Sequence, residues 1–309
     1  MNKKLSSLIA CMMLSSMNLS AQVDTQDIGS ASIEPPAAAV DGEQFKIDVS
    51  ADFIGAAKVE KSCLSGHVTF ATGQVEVNGI FYYDPCYKEG AAAAIAYQQT
   101  YLDWNKNPYF SQRNYETLSL ILSTYTERLF DWQWRAQISI NFDDLPYWNF
   151  GEYMNYDMLA WGRYEWSECV GVHIGFFAQT GMKMDRVYPI VGFDWQINEA
   201  WKLNLVYPVN ISAVYTINPE WTVALAARFI DQRHRTKEDE PVPEAVWHYQ
   251  GCGGELAINY LPTKTLSFNL HAGCFAGGHL AIYTHHYHRL ERLRDGAAPY
   301  AGGEIVYHF

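Results

Sequence analysis

The stretch from His279 to Asp295 holds the densest set of side chains that could do chemistry. Histidines can bind zinc or copper through the imidazole ring, and arginines can pair bidentately with the phosphates of lipopolysaccharide. An ordinary solvated loop explains the same composition and is the favoured interpretation, with lipid phosphate second and metal third. The residues concerned are His285, His286, His288, Arg289, Arg292 and Arg294.

A serine–histidine pair would be the other reactive arrangement, because hydrolases use a histidine to activate a serine hydroxyl. His173 and His271 are present together with several serines, but no spacing singles out a nucleophile and its base. An enzyme that modifies lipids is therefore the third-ranked function, and the sequence predicts no cofactor and no resident metal.

The exported part of the chain has an odd number of cysteines, which leaves at least one thiol free or paired between chains. Cys252 and Cys274 each lie eleven residues from Thr263, in a predicted turn over 260–264. They could therefore face each other across one hairpin and form a disulfide. Small apolar residues that face lipid are the favoured alternative.

The elements that would hold these side chains are strands, because apolar and polar residues alternate along most of the chain. In 132–142, tryptophan, isoleucine and phenylalanine share one parity, and glutamine, arginine, serine and asparagine share the other. A period of two indicates a strand, whose successive side chains point to opposite faces. The pattern also runs from Val187 to Phe229, where the turn INEAWKL of 197–203 recurs as INPEWTV in 217–223.

Repeated alternating segments predict an all-β fold, a transmembrane antiparallel β-barrel of about 12–14 strands. One set of connections is short and the other long, as in outer-membrane barrels with short periplasmic turns and long extracellular loops. The long loops include 231–247 and 277–299, and a tight turn is predicted at Pro208-Val209. The predicted strands are 45–53, 66–83, 92–102, 118–122, 132–142, 157–166, 169–178, 187–197, 201–208, 209–217, 221–230, 248–259, 265–276 and 300–309.

Charged residues of one parity are predicted to line the lumen of this barrel. Both signs are present, which suits a water-filled channel and equally a narrow or plugged barrel held by internal ion pairs. No apolar set fills the same parity throughout, so an open lumen is favoured. The predicted lumen residues are Lys46, Asp48, Asp52, Arg135, Asp194, Lys202, Arg228, Glu255, His271 and Glu304.

The N-terminal residues predict export. A charged start precedes an apolar run over 5–19, the pattern of a secretory signal peptide that spans 1–21. Cys11 resembles the cysteine of a lipoprotein cleavage box, but cleavage there would leave too short an apolar segment. Residues 22–44 offer little apolar surface and are predicted to form a flexible periplasmic leader, so the barrel domain covers 45–309.

The charge of the exported chain restricts its partners. Without the signal peptide, 20 basic residues stand against 34 acidic ones, a formal charge of −14. This acidic balance argues against nucleic-acid binding. The expected partners are outer-membrane lipid and lipopolysaccharide, and the oligomeric state stays open.

The C-terminal end of the last predicted strand carries an aromatic pattern. Ile305, Tyr307 and Phe309 share one parity, and Phe309 is the final residue. A terminal aromatic residue on an amphipathic strand resembles the signal that the bacterial barrel-assembly machinery recognises. We therefore expect these three residues to act as an assembly signal.

A longer segment carries a family resemblance. The sequence VYPIVGFDWQINEAWKLNLVYP of 187–208, followed by the turn of 218–223, resembles an uncharacterised family of bacterial outer-membrane β-barrels whose domain has no assigned function. The resemblance is specific over 187–229 and loose over 45–309. It implies the fold and the location, and it carries no catalytic residues over to this chain.

The sequence as a whole favours a passive pore or channel for small solutes of unknown identity in the cell outer membrane. The main alternative is a non-conducting barrel that serves adhesion, envelope structure or lipopolysaccharide contact. The third is an outer-membrane enzyme that modifies lipids. The width of the lumen separates the first two functions.

Overall fold

The computed structural model describes residues 45–61, 64–143, 152–182 and 185–309. The predicted signal peptide and periplasmic leader lie outside the described residues, as does Cys63. No helix in these ranges is long and apolar enough to span a membrane.

The described chain consists of fifteen antiparallel strands joined by turns and loops. They are β1 Phe45–Lys61, β2 Leu64–Asp84, β3 Glu89–Trp104, β4 Asn114–Leu129, β5 Trp132–Asp143, β6 Met154–Ser167, β7 Val170–Gly181, β8 Arg186–Gln196, β9 Trp201–Tyr207, β10 Asn210–Asn218, β11 Trp221–Arg235, β12 Val246–Thr263, β13 Leu266–Tyr283, β14 Arg289–Asp295 and β15 Ala298–His308.

These strands form one closed sheet, because each strand from β1 to β13 pairs with the next and β15 returns to β1. β14 and β15 are two parts of one long strand, since both pair with β13 on one side and with β1 on the other. The barrel therefore has fourteen strands around its circumference. The predicted all-β antiparallel barrel is confirmed.

Apolar side chains of one parity cover the outside of the barrel. Ile138 on β5, for example, lies directly between Leu122 on β4 and Met158 on β6. The three side chains are 49%, 54% and 43% exposed, respectively. A continuous belt of exposed large apolar residues suits contact with lipid, because a closed barrel satisfies its backbone hydrogen bonds internally.

The two ends of the barrel differ. One end, called the turn end, carries the short connections 85–88, 130–131, 168–169, 197–200, 219–220 and 264–265. Aromatic rings pack against each other on the outside near it, with centroids 4.3 Å apart in the stacked pair Trp221–Tyr260 and 4.9 Å apart in the tilted pair Trp201–Tyr215. The opposite end, called the loop end, carries connections that include 105–113, 236–245, 284–288 and the predicted tight turn at Pro208-Val209.

The repeated turn of the sequence forms the same local structure twice. Asn198 Oδ1 accepts hydrogen bonds from the backbone N–H groups of Ala200 and Trp201, both at 2.9 Å. Asn218 Oδ1 accepts from the equivalent groups two and three residues later, at 2.9 and 3.0 Å. An asparagine side chain that bonds its own backbone two residues on is a standard way to reverse a chain.

The last residue closes the seam of the barrel. The backbone N–H of Phe309 donates to Phe45 O at 2.9 Å, and the N–H of Phe45 donates to Phe309 O at 3.0 Å. The ring of Phe309 stacks on Phe45 at 5.6 Å and on Tyr307 at 5.8 Å. Phe309 therefore joins β1 to β15 at the turn end.

Deleting Phe309 is expected to lower the yield of assembled barrel severely, because the seam loses two backbone hydrogen bonds and both ring contacts. The measurement is the fraction of heat-modifiable barrel in outer-membrane preparations. Trp166→Ala serves as the control, since this aromatic residue is 74% exposed at the turn end, away from the seam. An unchanged yield after the deletion would contradict both the seam argument and the proposed assembly signal.

The predicted long loops 231–247 and 277–299 are shorter in the structure, and the second is strand over most of its length. β11 continues to Arg235, β12 begins at Val246, and β13 continues to Tyr283, so that only 236–245 and 284–288 connect strands. Polar and charged residues occur at both parities of these segments, which hides the alternation of a strand. These residues are compatible with strands here because both faces of this part of the sheet are covered by protein.

The predicted pairing of Cys252 with Cys274 is also wrong. Cys252 lies opposite Gly277 and Cys274 lies opposite Gly254, because the hairpin turns at 264–265 and a bulge shifts the register beside Cys252. Both thiols are free, and Cys274 is exposed on the outer face. Their positions agree with the alternative of small residues that face lipid.

Candidate functional site

The structure places the ten predicted lumen residues on the face opposite to the apolar belt. Five of them take part in two ion-pair clusters described below, and Lys46 Nζ lies 3.5 Å from Asp48 Oδ2. Arg135, Lys202 and Glu304 belong to neither cluster and are partly exposed inside the barrel. Water therefore reaches the lumen at the turn end.

The first cluster crosses the seam of the barrel. Arg228 on β11 pairs bidentately with Glu255 on β12, with N–O distances of 2.9 and 3.2 Å. Asp52 Oδ1 on β1 accepts from Tyr300 OH at 2.6 Å and contacts His271 Nε2 at 2.8 Å. Tyr300 was not predicted, although it falls on the inward parity of the last strand.

The second cluster joins β6, β7 and β8. Arg163 donates to both carboxylate oxygens of Asp194, at 2.9 and 3.2 Å. His173 Nε2 contacts Asp194 Oδ2 at 2.7 Å, and Trp161 Nε1 donates to His173 Nδ1 at 3.0 Å. Arg163 was not predicted as a lumen residue, and its parity within the predicted strand 157–166 was the available signal.

The lumen at the loop end is not polar throughout, which corrects the expectation that no apolar set fills it. Inward side chains of β1, β2, β3 and β4 pack there against those of β12, β13, β14 and β15. The cluster comprises Ile54, Ala57, Val59, Val68, Phe70, Leu102, Trp104, Phe110, Tyr115, Ala245, Trp247, Tyr249, Phe275, Leu280, Ile282, Leu293, Ala298 and Tyr300.

Four strand ends create this packing by bending into the barrel. They form what we call the inserted sheet, residues 231–250 of β11 and β12 together with residues 279–293 of β13 and β14. Its apolar face carries Trp247, Tyr249, Leu280, Ile282 and Leu293, whose side chains are fully buried. The Tyr249 ring stacks on Phe70 of β2, with centroids 5.1 Å apart. The inserted sheet therefore contacts strands that are not adjacent to β12 in the barrel.

The edge of the inserted sheet is bonded to the wall through His234. Its Nδ1 contacts Asp143 Oδ1 of β5 at 2.6 Å, and its Nε2 contacts Thr100 Oγ1 of β3 at 3.1 Å. The backbone N–H of Arg235 donates to the other oxygen of Asp143 at 2.6 Å. These bonds fix the position of the sheet inside the barrel.

Carboxylate, imidazole and hydroxyl follow one another in Asp143, His234 and Thr100 in the order that hydrolases use. All three residues are at most 3% exposed. A substrate cannot reach the Thr100 hydroxyl in this conformation, so the arrangement holds the sheet rather than forming an accessible active site.

The opposite face of the inserted sheet is polar. Asp231 forms a short hydrogen bond with His248 Nε2 and accepts from Gln250 Nε2 at 3.1 Å. Arg186 on β8 donates to His248 Nδ1 at 3.4 Å and lies 3.6 Å from Asp231 Oδ2. Arg233 donates to the carbonyl of Gly181 on β7 at 3.4 Å. This polar face, defined by Asp231, Arg233, His248, Gln250 and His279, is directed toward β6, β7 and β8.

Short neighbouring strands and glycines allow the sheet to bend. β9 and β10 have only 7 and 9 residues, and the ladder between β10 and β11 stops at Ser212 and Ala226. Where β12 and β13 turn inward, a Cβ on Gly278 would lie 1.9 Å from Gln250 O, and Gly277 has a φ of +117°. Glycines and bulges in strands mark such bends.

The six predicted metal or anion residues are not brought into one site. His285 contacts Glu244 at 2.6 Å and Glu152 at 3.9 Å, the one arrangement of metal-binding type among the described residues. Arg235 Nη1 lies 3.1 Å from the same His285 nitrogen, and its charge would repel a cation. Exposed members of the set are His286, His288, Arg289, Arg292 and Arg294.

The closed antiparallel barrel, its apolar belt and its polar lumen at the turn end define a β-barrel of the outer-membrane class. Residues 164–282 match a domain of unknown function, DUF6268. This range contains the segment 187–229, so the predicted resemblance to an uncharacterised family is confirmed there.

Two chlamydial proteins that are described as uncharacterised are similar to this chain. A protein of Chlamydia trachomatis is 24% identical over 198 residues, 63% of this chain and 61% of its own length. A protein of Chlamydia muridarum is 25% identical over 196 residues, with the same two coverages. The match thus spans 61% of these relatives. Among solved structures, an outer membrane channel from Pseudomonas putida F1 is similar over 86% of this chain and 96% of its own, at 8% identity and a TM-score of 0.48.

Proposed function

We propose that this protein is a passive channel of the outer membrane for small polar solutes. The observation that carries the proposal is the turn-end lumen, where charged side chains of both signs point inward and Lys46, Arg135, Lys202 and Glu304 are partly exposed. Fourteen strands lie between the eight of a barrel filled by its own side chains and the 16–18 of wide pores. We therefore expect a narrow passage with weak selectivity between cations and anions.

The direct test is the conductance of the refolded protein in planar bilayers. A channel gives discrete current steps, and its mixed lumen charges predict a reversal potential close to zero in a salt gradient. A heat-modifiable barrel that never conducts would exclude the channel.

Arg135→Glu is expected to shift selectivity toward cations, because Arg135 is partly exposed on the lumen side of β5 and the change replaces a positive by a negative charge. The reversal potential in a salt gradient measures the shift. Lys264→Glu makes the same change of charge on the short turn 264–265, outside the lumen, and should leave selectivity nearly unaltered. Equal shifts from the two variants would contradict the placement of Arg135 in the solute path.

The filled part of the loop end supports a second candidate, a non-conducting barrel that contacts lipopolysaccharide. Arg289, Arg292 and Arg294 are exposed near this end, and arginine pairs well with phosphate. Binding of lipopolysaccharide by a barrel without conductance, lost on replacement of these arginines by glutamine, would favour this candidate over the channel.

A further inference from the structure

The inserted sheet divides the loop end of the barrel into two unlike parts. On one side, its apolar face is packed against β1, β2, β3 and β4 without room for water, since Phe70 and Leu102 are at most 2% exposed. On the other side, its polar face meets a wall of polar side chains. A solute that needs water or hydrogen bonds can pass only on the polar side.

The wall on that side is built from inward residues of β5, β6, β7 and β8. Asn141 donates to Asn155 at 2.8 Å and to Asp157 at 2.6 Å. Gln179 and Arg186 follow on the next two strands, at neighbouring register positions. Toward the turn end, the inward residues of β6, β7 and β8 form a buried apolar cluster that includes Trp161, Phe177 and Ile190. On β5, Arg135, Gln137 and Ser139 are hydrogen-bonded in a row below Asn141, so polar groups continue from the turn end to the loop end along this strand.

We propose that the solute path runs between this wall and the polar face of the inserted sheet, and that Arg186, Asp231 and His248 form its constriction. This inference rests on the proposed channel function and names the residues that set its width and selectivity. Arg186 belongs to the wall, whereas Asp231 and His248 belong to the sheet, so their contacts join the two sides. The Arg186 side chain is 26% exposed and therefore borders water.

The constriction consists of movable side chains rather than of packed backbone. Asp231 and His248 are at most 5% exposed, so the constriction is closed in this conformation and opens when the Arg186 guanidinium and the side chains that it contacts move aside. The apolar face of the sheet stays in place. The path accordingly suits small polar solutes that can exchange hydrogen bonds with an arginine, a carboxylate and an imidazole. Arg186→Ala is expected to raise single-channel conductance about twofold or more, because pore-lining side chains determine conduction.

Cysteine labelling tests the path. Gln179→Cys places a thiol on the polar wall, and Leu102→Cys places one in the apolar cluster on the other side of the sheet. A positively charged thiol reagent should modify Cys at position 179, measured by mass spectrometry, and reduce its current about twofold or more. The Leu102→Cys protein should show neither effect. The unsubstituted protein gives the background from its own cysteines.

The possible results of the labelling experiment distinguish a failure of the proposed path from a failure of the proposed channel function. Modification at position 179 with no current from any protein would exclude the proposed channel function but support a water-filled path. Current that is blocked equally in both variants, or in neither, would overturn the path and place conduction elsewhere. Modification of Leu102→Cys alone would move the path to the apolar side and refute the inference.

Discussion

Replacing Ile138 by arginine is expected to destabilise the folded barrel by about 2–4 kcal/mol. Ile138 lies midway along β5, directly between Leu122 and Met158 of the neighbouring strands, and these three side chains form part of the lipid-facing belt. A guanidinium at this depth would lose its hydration without gaining a partner. Reversible unfolding by denaturant in lipid vesicles measures the loss.

Gln137→Arg is the matched control, because it introduces the same side chain one residue earlier. Gln137 is on the inward parity, where it accepts a hydrogen bond from Arg135 at 3.0 Å and donates to Ser139 at 3.3 Å. An arginine there remains among polar groups and water, so we expect a much smaller loss. Equal losses from the two substitutions would mean that the assignment of the two faces is wrong.

Glu255→Ala is expected to lower the free energy of unfolding by about 3–5 kcal/mol, because it leaves a buried arginine without its bidentate partner. The Arg228 and Glu255 side chains are only 12% and 1% exposed. Glu165→Ala removes a partner of Arg163 from an ion pair of 3.2 Å, but Glu165 is 69% exposed. The second loss should stay within about 0–1 kcal/mol.

The double variant Arg228→Met/Glu255→Leu tests whether the stability lost in Glu255→Ala comes from the charge that remains on Arg228. Removing both charges eliminates the uncompensated arginine, so most of the stability lost in Glu255→Ala should return. Denaturant unfolding of the three variants side by side gives the comparison. A double variant as unstable as the single one would show that the two residues do not depend on each other.

The strands and their facing could be predicted from the sequence because they depend on local alternation. The segment 132–142 has an unbroken period of two, and the structure forms β5 over Trp132–Asp143. The repeated turns were found for a similar reason, since each asparagine bonds backbone groups within three residues. Such features need no knowledge of distant parts of the chain.

The inserted sheet could not be predicted in the same way. The residues 231–235 and 246–250 also form strands, but which strands cover their two faces depends on contacts with Phe70, Asp143 and Arg186, far away in sequence. Parity assigns a side chain to one of two faces without identifying what lies against that face. The glycines around Gly277 were the available sign of a bend.

The short strands β9 and β10 have a consequence for the surrounding bilayer. Seven residues of β9 extend about 23 Å at about 3.3 Å per residue, or about 16–19 Å along the membrane normal at a tilt of 35–45°. The apolar band of such barrels is about 25 Å tall. Lipid tails beside Pro208-Val209 must therefore be compressed by several ångströms, while those beside β2, with 21 residues, need not be. The bilayer around the protein is therefore thinnest beside β9 and β10. The protein should partition into thin membranes in preference to thick ones.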